Sequence, residues 1–154
     1  MAFKFNLETL LKHRKRVEEE AQRVYFEAKS KADAALAEIE QMYDKIDEAR
    51  QRAEALETEG GDVSQYVIQI DQFIMGQKLK IEMKKVIVRE LLSEAEEKHE
   101  LLTEASQEFK IIEKLKENKK AEYLKIKRKK EQKKLDENSV IRFNYKGQED
   151  DKFL

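Results

Sequence analysis

The chain lacks proline and cysteine altogether, and it has four glycines in 154 residues. Because proline is the strongest helix breaker, its absence leaves long stretches free to form helix. The absence of cysteine excludes disulfides, thiolate chemistry and zinc fingers, and it fits a reducing compartment such as the cytoplasm. No apolar run approaches the roughly 20 residues of a membrane-spanning helix, and residues 1–6 lack the apolar stretch of a signal peptide. We therefore expect a soluble, helical protein that is not secreted by that route.

Charged residues make up 42% of the chain, and the net charge is −1. The abundant residue types, Lys, Glu, Ala, Leu and Gln, are good helix formers. Two long helices bury a seam along their contact, but they cannot enclose a pocket or a water-free active site. The composition therefore predicts an interaction protein rather than an enzyme.

One sharp turn is indicated by Gly60-Gly61, which separates two long stretches with apolar residues at alternating spacings of three and four. Helix one is expected over about 6–59, with Asn6 as the N-cap and Glu8 in the first turn. Helix two is expected over about 62–138, with Asp62 and Gln65 forming a capping box. The fold class is therefore predicted to be all-α, an antiparallel coiled-coil hairpin over residues 1–138.

Both helices carry a seam, the stripe of residues expected to face the other helix. Folding at the glycines pairs residues whose numbers sum to about 122 or 123. Gln77, Lys84 and Lys98 are polar residues at seam positions of helix two, which weakens packing but can fix the register. On helix one the seam comprises Leu10, Arg14, Val17, Ala21, Val24, Ala28, Ala32, Ala35, Ile39, Met42, Ile46, Ala49, Ala53 and Leu56. On helix two it comprises Ile70, Ile74, Gln77, Ile81, Lys84, Val88, Leu91, Ala95, Lys98, Leu102, Ala105, Phe109 and Ile112, and it continues through Lys116, Lys119, Tyr123 and Ile126.

Helix two is predicted to overhang helix one beyond about residue 116, and the positive charge is concentrated there. Residues 114–134 contain eleven Lys or Arg and three Glu, a net charge of +8. Such a surface is either a solvated helix face or a docking surface for an acidic partner, nucleic acid or lipid. Residues 139–154 lack helical periodicity, and we expect them to form a flexible tail.

Residues with catalytic or metal-binding potential are few. The pair Glu96-x-x-His99 has the spacing used in di-iron bundles, but the further carboxylates and second copy that such a site needs are missing. His13 and His99 are therefore expected to face solvent. The sequence contains no phosphate-binding loop, nucleophile elbow or RNA-reading aromatic motif. We expect no catalysis, no metal and no cofactor.

Three segments resemble the FliJ family of bacterial flagellar export proteins. The first is Phe3-x-Phe5-x-Leu7-Glu8-x-Leu10-Leu11-x-x-Arg14, and the second is Asp71-Gln72-Phe73-Ile74 near the start of helix two. The third is Glu131-Gln132-Lys133-Lys134-Leu135-Asp136-Glu137 followed by Arg142-Phe143. Their order, the chain length and the central turn extend the resemblance over residues 3–143.

The resemblance implies a soluble component of the flagellar type III export apparatus, similar in form to the two-helix stalk of rotary ATPases. It implies binding to the hexameric export ATPase, promotion of its assembly and activity, contact with the export-gate membrane protein and a link to export chaperones. The implied location is the cytoplasm, at the inner membrane beneath the flagellum. Phe73 is the candidate gate contact, although it could simply flank the seam. The residues expected to contact the ATPase ring are Leu7, Leu11, Arg14, Gln132, Lys133, Asp136 and Glu137.

Two other classes of function remain open from the sequence. A basic coiled coil that binds nucleic acid would explain the charge of residues 114–134. A passive scaffold coil would explain the seam without a specific partner. Salt dependence distinguishes the first from an ATPase contact, because phosphate binding weakens steeply as ionic strength rises.

Overall fold

The computed structural model describes the backbone of residues 2–151 and the side chains of residues 2–148. It contains two helices, α1 (Glu8–Glu59) and α2 (Ser64–Asp151), and no strand among the residues described. Both helices lack proline, so no backbone N–H is removed from their interiors. The predicted all-α hairpin of two long helices is confirmed.

The first turn of α1 differs slightly from the prediction. The helix begins at Glu8 rather than at Asn6, because the backbone N–H of Leu11 donates to the carbonyl of Leu7 at 2.9 Å. The Glu8 N–H donates to the carbonyl of Phe5 at 3.2 Å, which closes a turn just before the helix. The carboxylate of Glu8 lies in the first turn, where it complements the helix dipole.

The predicted turn lies where expected. Gly60 and Gly61 have φ angles of 78° and 89°, a left-handed backbone conformation that residues with a Cβ rarely adopt. The start of α2 is two residues later than predicted, at Ser64. The hydroxyl of Ser64 donates to Oδ1 of Asp62 at 2.7 Å, and the N–H of Val67 donates to the carbonyl of Val63. Asp62 therefore interacts with Ser64 instead of forming the predicted capping box with Gln65.

Contacts divide the chain into two compact units. The turn-proximal unit is residues 16–106, and the terminal unit is residues 1–15 with 107–154. In the turn-proximal unit the two helices pack antiparallel. Every buried hydrophobic residue of this unit lies at a predicted seam position. These residues are Ala28, Ala32, Ala35, Ile39, Ile46, Ala49, Ile74, Ile81, Val88, Ala95 and Ala105.

The register of the turn-proximal unit follows the predicted pairing closely. Lys84 forms an ion pair with Glu38, and the residue numbers of this pair sum to 122. Further from the turn, the Ser106 hydroxyl donates to Oε1 of Glu18 at 3.1 Å, and the residue numbers of this pair sum to 124. Val17 was predicted to lie in the seam, but it is exposed while Glu18 is half-buried. At this position the contact with α2 is therefore made by Glu18 in place of Val17.

In the terminal unit, residues 2–15 pack against the part of α2 that ends at Tyr123. Nζ of Lys116 lies 2.9 Å from Oε2 of Glu8, and Arg14 pairs with Glu108. The predicted seam positions Lys119 and Ile126 are exposed. All side chains from Leu124 to Gln148 are exposed, so the overhang begins at Leu124.

The predicted end of helix two was wrong. α2 continues past Asn138 to Asp151, so residues 139–151 are helical rather than an irregular tail. Absence of an apolar stripe does not end a helix that contains no proline, and the single glycine in this segment, Gly147, costs about 1 kcal/mol without breaking it. The predicted mobility of this segment stays a prediction, and residues 152–154 lie outside the described residues.

Candidate partner-binding surfaces

The N-terminal segment before α1 packs on α2 through aromatic side chains. The rings of Phe3 and Tyr123 lie 5.6 Å apart between centroids and are tilted by 44°. Such tilted pairs contribute about 0.5–1.5 kcal/mol beyond the area they bury. A cavity of about 510 Å³ lies here, lined by Phe3, Lys4, Phe5, Asn6, Leu7, Leu115, Lys119 and Tyr123. This aromatic contact fixes the chain just before the candidate residues of α1.

The three ATPase-contact candidates of α1 have different surroundings. Leu7 is exposed, whereas Leu11 is half-buried. The guanidinium of Arg14 is paired with Glu108, and its Nε is buried without a hydrogen-bond partner in the structure. Arg14 therefore has a structural role inside the terminal unit, and Leu7 is the most accessible of the three.

The four candidates of α2 are all exposed. Nε2 of Gln132 donates to Oδ1 of Asp136 at 3.2 Å, which lies one turn further along the same helix. Lys133 and Glu137 are likewise exposed on adjoining positions. These side chains form a polar surface that is free to meet a partner.

The structure does not bring the two groups of ATPase-contact candidates into contact. Glu8, next to Leu7, pairs with Lys116 of α2, and Gln132 lies sixteen residues beyond Lys116, roughly 24 Å along the helix. A partner that touches both groups must therefore span this distance.

The basic segment, residues 114–134, is mostly unpaired. Of its eleven cations, two lie within 4.0 Å of a carboxylate in the described part of the chain. These are Lys116, which pairs with Glu8, and Lys119, whose Nζ is 4.0 Å from Oε2 of Glu122. The other cations lack this local compensation, so the segment attracts acidic groups.

Phe73, the candidate gate contact, lies in the turn-proximal unit beside the buried Ile74. Its side chain is 44% exposed and lines a shallow groove of about 380 Å³. Tyr66 on α2 and Lys45, Glu48 and Arg52 on α1 also line this groove. An aromatic surface with charged residues at its edge suits protein recognition. Phe73 also flanks the seam, which was the alternative interpretation of this residue.

The two histidines show no arrangement that indicates chemistry. His13 is exposed, and the exposed ring of His99 makes an edge contact with Tyr25 at 5.1 Å between centroids. Among the described residues, no group of three or more His, Cys, Asp or Glu side chains could hold a metal ion. Over the same residues, neither helix has a stretch long and apolar enough to cross a membrane.

Two features of the surface were missed in the sequence. Phe3 and Phe5 contributed to the family resemblance, but their contact with Tyr123 was not anticipated. The alternation Phe3-x-Phe5-x-Leu7 was the available signal, since it places successive apolar side chains on one side of an extended segment. The second missed feature is an apolar stripe on the outer face of α2.

Comparison with known protein families finds a match over nearly the whole chain. The family model described as flagellar FliJ protein matches residues 3–148, which is nearly the whole chain. No curated protein and no solved structure matches the chain. The family match covers all three segments on which the resemblance rested. The chain therefore belongs to the FliJ family, and with it to the components of the flagellar protein export apparatus.

Proposed function

We propose that this protein is the stalk of the flagellar export ATPase: it binds the hexameric ring, promotes its assembly and activity, and links it to the export gate. The observation that carries the proposal is the exposed, basic part of α2, in which every side chain from Leu124 to Gln148 faces solvent. Most of the stability of a helix in a protein comes from packing, and this part of α2 packs on no other described residues, so a partner that surrounds it would stabilise it.

The ATPase contact is proposed to use two parts of the terminal unit. The exposed surface around Gln132 and Lys133 supplies polar and charged contacts, and Leu7 supplies an apolar one. Arg14 acts indirectly, because its ion pair with Glu108 fixes the position of α1. The acidic residues that the basic segment attracts would come from the interior of the ring.

The gate contact is proposed at the groove beside Phe73. Its support is the half-exposed aromatic ring and the neighbouring Tyr66, which offer large apolar area at low conformational cost. Phe73 belongs to the turn-proximal unit, whereas the ATPase candidates belong to the terminal unit. The proposed location is the cytoplasm, next to the membrane that holds the gate, and export chaperones are further proposed partners.

The decisive experiment combines the purified chain with the export ATPase and measures phosphate release. The chain alone should release no phosphate, and adding it should raise the rate of the ATPase. A pull-down from the native cell should recover both the ATPase and the gate protein. An unchanged ATPase rate over a wide range of stoichiometries would contradict the stalk role.

Salt dependence separates this proposal from nucleic-acid binding. Binding to phosphates through the basic segment weakens steeply as salt rises, whereas an ATPase contact that includes Leu7 keeps an apolar component. Tight binding to DNA or RNA that is lost at high salt, with no binding to the ATPase, would favour the nucleic-acid function instead.

A further inference from the structure

The outer face of α2 carries an apolar stripe within the turn-proximal unit. Its five members are between 52% and 70% exposed, and we call them the outer stripe: Ile68, Met75, Leu79, Met83 and Val86. A charged side chain would be the usual choice at such positions of a two-helix coil. The stripe therefore needs an explanation that the hairpin itself does not supply.

The outer stripe faces away from α1. Ile74, Ile81 and Val88 recur every seven residues in the seam, and each is buried. Met75 follows Ile74 by one residue, which in a heptad is an outer position, and Ile68 lies one heptad before Met75. Leu79 lies four residues after Met75 at a second outer position, and Val86 lies one heptad after Leu79. Met83 lies at a third outer position, between Leu79 and Val86. The stripe is thus a second heptad pattern on the side of α2 opposite the seam.

Its size is that of an interaction surface. Five side chains that are each more than half exposed offer on the order of 100 Å² apiece, or roughly 500 Å² in all. Contiguous apolar patches of about 300–600 Å² on a soluble protein commonly mark a binding site.

Four of the five members of the outer stripe are spaced symmetrically about residue 77. Ile68 and Val86 have residue numbers that sum to 154, and so do Met75 and Leu79. A helix with this property can pair with an identical helix running the other way, because these four apolar residues then meet one another. Gln72 and Glu82, whose numbers also sum to 154, meet each other in the same line, and Met83 lies at the margin of the contact. We propose that the outer stripe is a self-association surface, at which α2 pairs antiparallel with α2 of a second copy of this chain.

The charges beside the stripe fit this pairing. On one edge lie Asp71, Lys78 and Lys85, and antiparallel pairing brings Asp71 of each copy to Lys85 of the other. Lys78 meets its own counterpart at the centre, but Glu82 of the same copy lies one turn away and offsets that repulsion. Lys85 already lies 3.0 Å from Glu82 in its own chain, so this edge is balanced in charge before and after pairing.

Gly76 lies next to the centre of symmetry. A Cβ built on it would meet nothing within 4 Å, so the packing of the hairpin does not require glycine there. Glycine in a helix interior is unfavourable, and its common benefit is close approach of another backbone. In the proposed pair Gly76 of one copy lies beside Gly76 of the other.

The predicted pair is weak. Two outer stripes together would bury on the order of 1,000 Å², which is at the lower end for specific protein interfaces. Association should therefore depend on concentration in the micromolar range or above. This inference does not rest on the proposed function, since it concerns neither the ATPase nor the gate.

Sedimentation velocity of the full chain over about 5 to 500 µM tests the proposal. The weight-average sedimentation coefficient should rise with concentration. Leu79→Lys should raise the dissociation constant at least about tenfold, because it places a charge in the apolar contact. The matched control is Leu101→Lys, which changes a leucine of α2 that is 54% exposed against 65% for Leu79 but lies outside the stripe. This control should associate like the unmodified chain.

Cysteine crosslinking tests the antiparallel orientation of the two copies, and no native cysteine competes with the introduced thiols. A mixture of Ile68→Cys and Val86→Cys chains should form mixed disulfides faster than either variant forms disulfides alone. Two results would overturn the proposal, namely a chain that stays monomeric at the highest concentration, or association that Leu79→Lys and Leu101→Lys affect equally. Preferential disulfides between two Ile68→Cys chains would also overturn it, since they indicate parallel pairing.

Discussion

Lys84 forms an ion pair with Glu38 across the turn-proximal unit, although Lys84 occupies a position where the seam would otherwise hold an apolar residue. The Lys84 side chain is 25% exposed and that of Glu38 is 53% exposed, so the pair is partly solvated. Half-exposed pairs of this kind contribute at most about 1 kcal/mol. The pair is therefore better suited to fixing the register of the two helices than to stabilising them.

Lys84→Leu should raise the free energy of unfolding by about 1 kcal/mol. The buried leucine gains more from the seam than the partly solvated ion pair provides, and Glu38 remains exposed enough to be hydrated. Urea denaturation followed by circular dichroism measures the change. Lys31→Leu, at an exposed position of α1, is the control and should change stability by less than about 0.5 kcal/mol. A lower stability for Lys84→Leu would mean that the ion pair outweighs apolar packing.

The register itself can be tested with Ala28→Cys combined with Ala95→Cys. Both alanines are buried in the seam, and the predicted pairing places them opposite each other. An intramolecular disulfide should form if the two Cβ atoms lie within about 4.5 Å. Mass spectrometry and non-reducing electrophoresis distinguish it from crosslinks between chains.

An off-register pair provides the control for this crosslink. Ala35→Cys combined with Ala95→Cys uses equally buried alanines, but Ala35 lies seven residues from Ala28, roughly 10 Å along the helix. It should stay reduced under the same conditions. Equal oxidation of the two pairs would mean that the helices slide past each other.

Gly76→Ala should stabilise the hairpin by about 0.5–1 kcal/mol. The position is helical and has open space for a Cβ, so alanine gains helix propensity without a clash. Thermal denaturation at a protein concentration below that of self-association isolates this effect. A loss of stability would show that the glycine serves packing within the chain.

Phe3→Ala should release the N-terminal segment from α2. Loss of the contact with Tyr123 removes about 1–2 kcal/mol of local stability, because the ring is half-buried and packed on another ring. Hydrogen exchange should accelerate around residues 6–12 and stay unchanged in the turn-proximal unit. Phe26→Ala is the control, since this ring is 61% exposed and should leave the exchange of those residues unaffected. Unchanged exchange in Phe3→Ala would show that the aromatic contact does not hold the segment.

The two proposed partner contacts should be separable by mutation. Lys133→Glu combined with Leu7→Ala should weaken ATPase binding and spare gate binding, whereas Phe73→Ala should do the opposite. Surface plasmon resonance with each purified partner measures both affinities. Circular dichroism must first show that each variant is folded, because an unfolded hairpin would bind neither partner. Folded variants that each lose both partners equally would contradict the division between the two units.

The sequence by itself determined the number of helices, the turn and nearly all of the buried residues. Proline-free heptads with a single glycine pair leave few alternatives, because helix propensity, apolar period and turn conformation all agree. Every fully buried hydrophobic residue of the turn-proximal unit was predictable in this way. The family membership was also carried by short motifs, which lie within residues 3–148.

Tertiary structure decided the features that depend on which residues meet. Three contacts join distant parts of the chain: Lys84 with Glu38, Ser106 with Glu18, and Phe3 with Tyr123. The sequence shows the apolar period of one helix, but the angle at which each side chain meets the other helix emerges on packing. The end of α2 at Asp151 was missed because a helix needs no apolar stripe to continue where neither proline nor packing interrupts it.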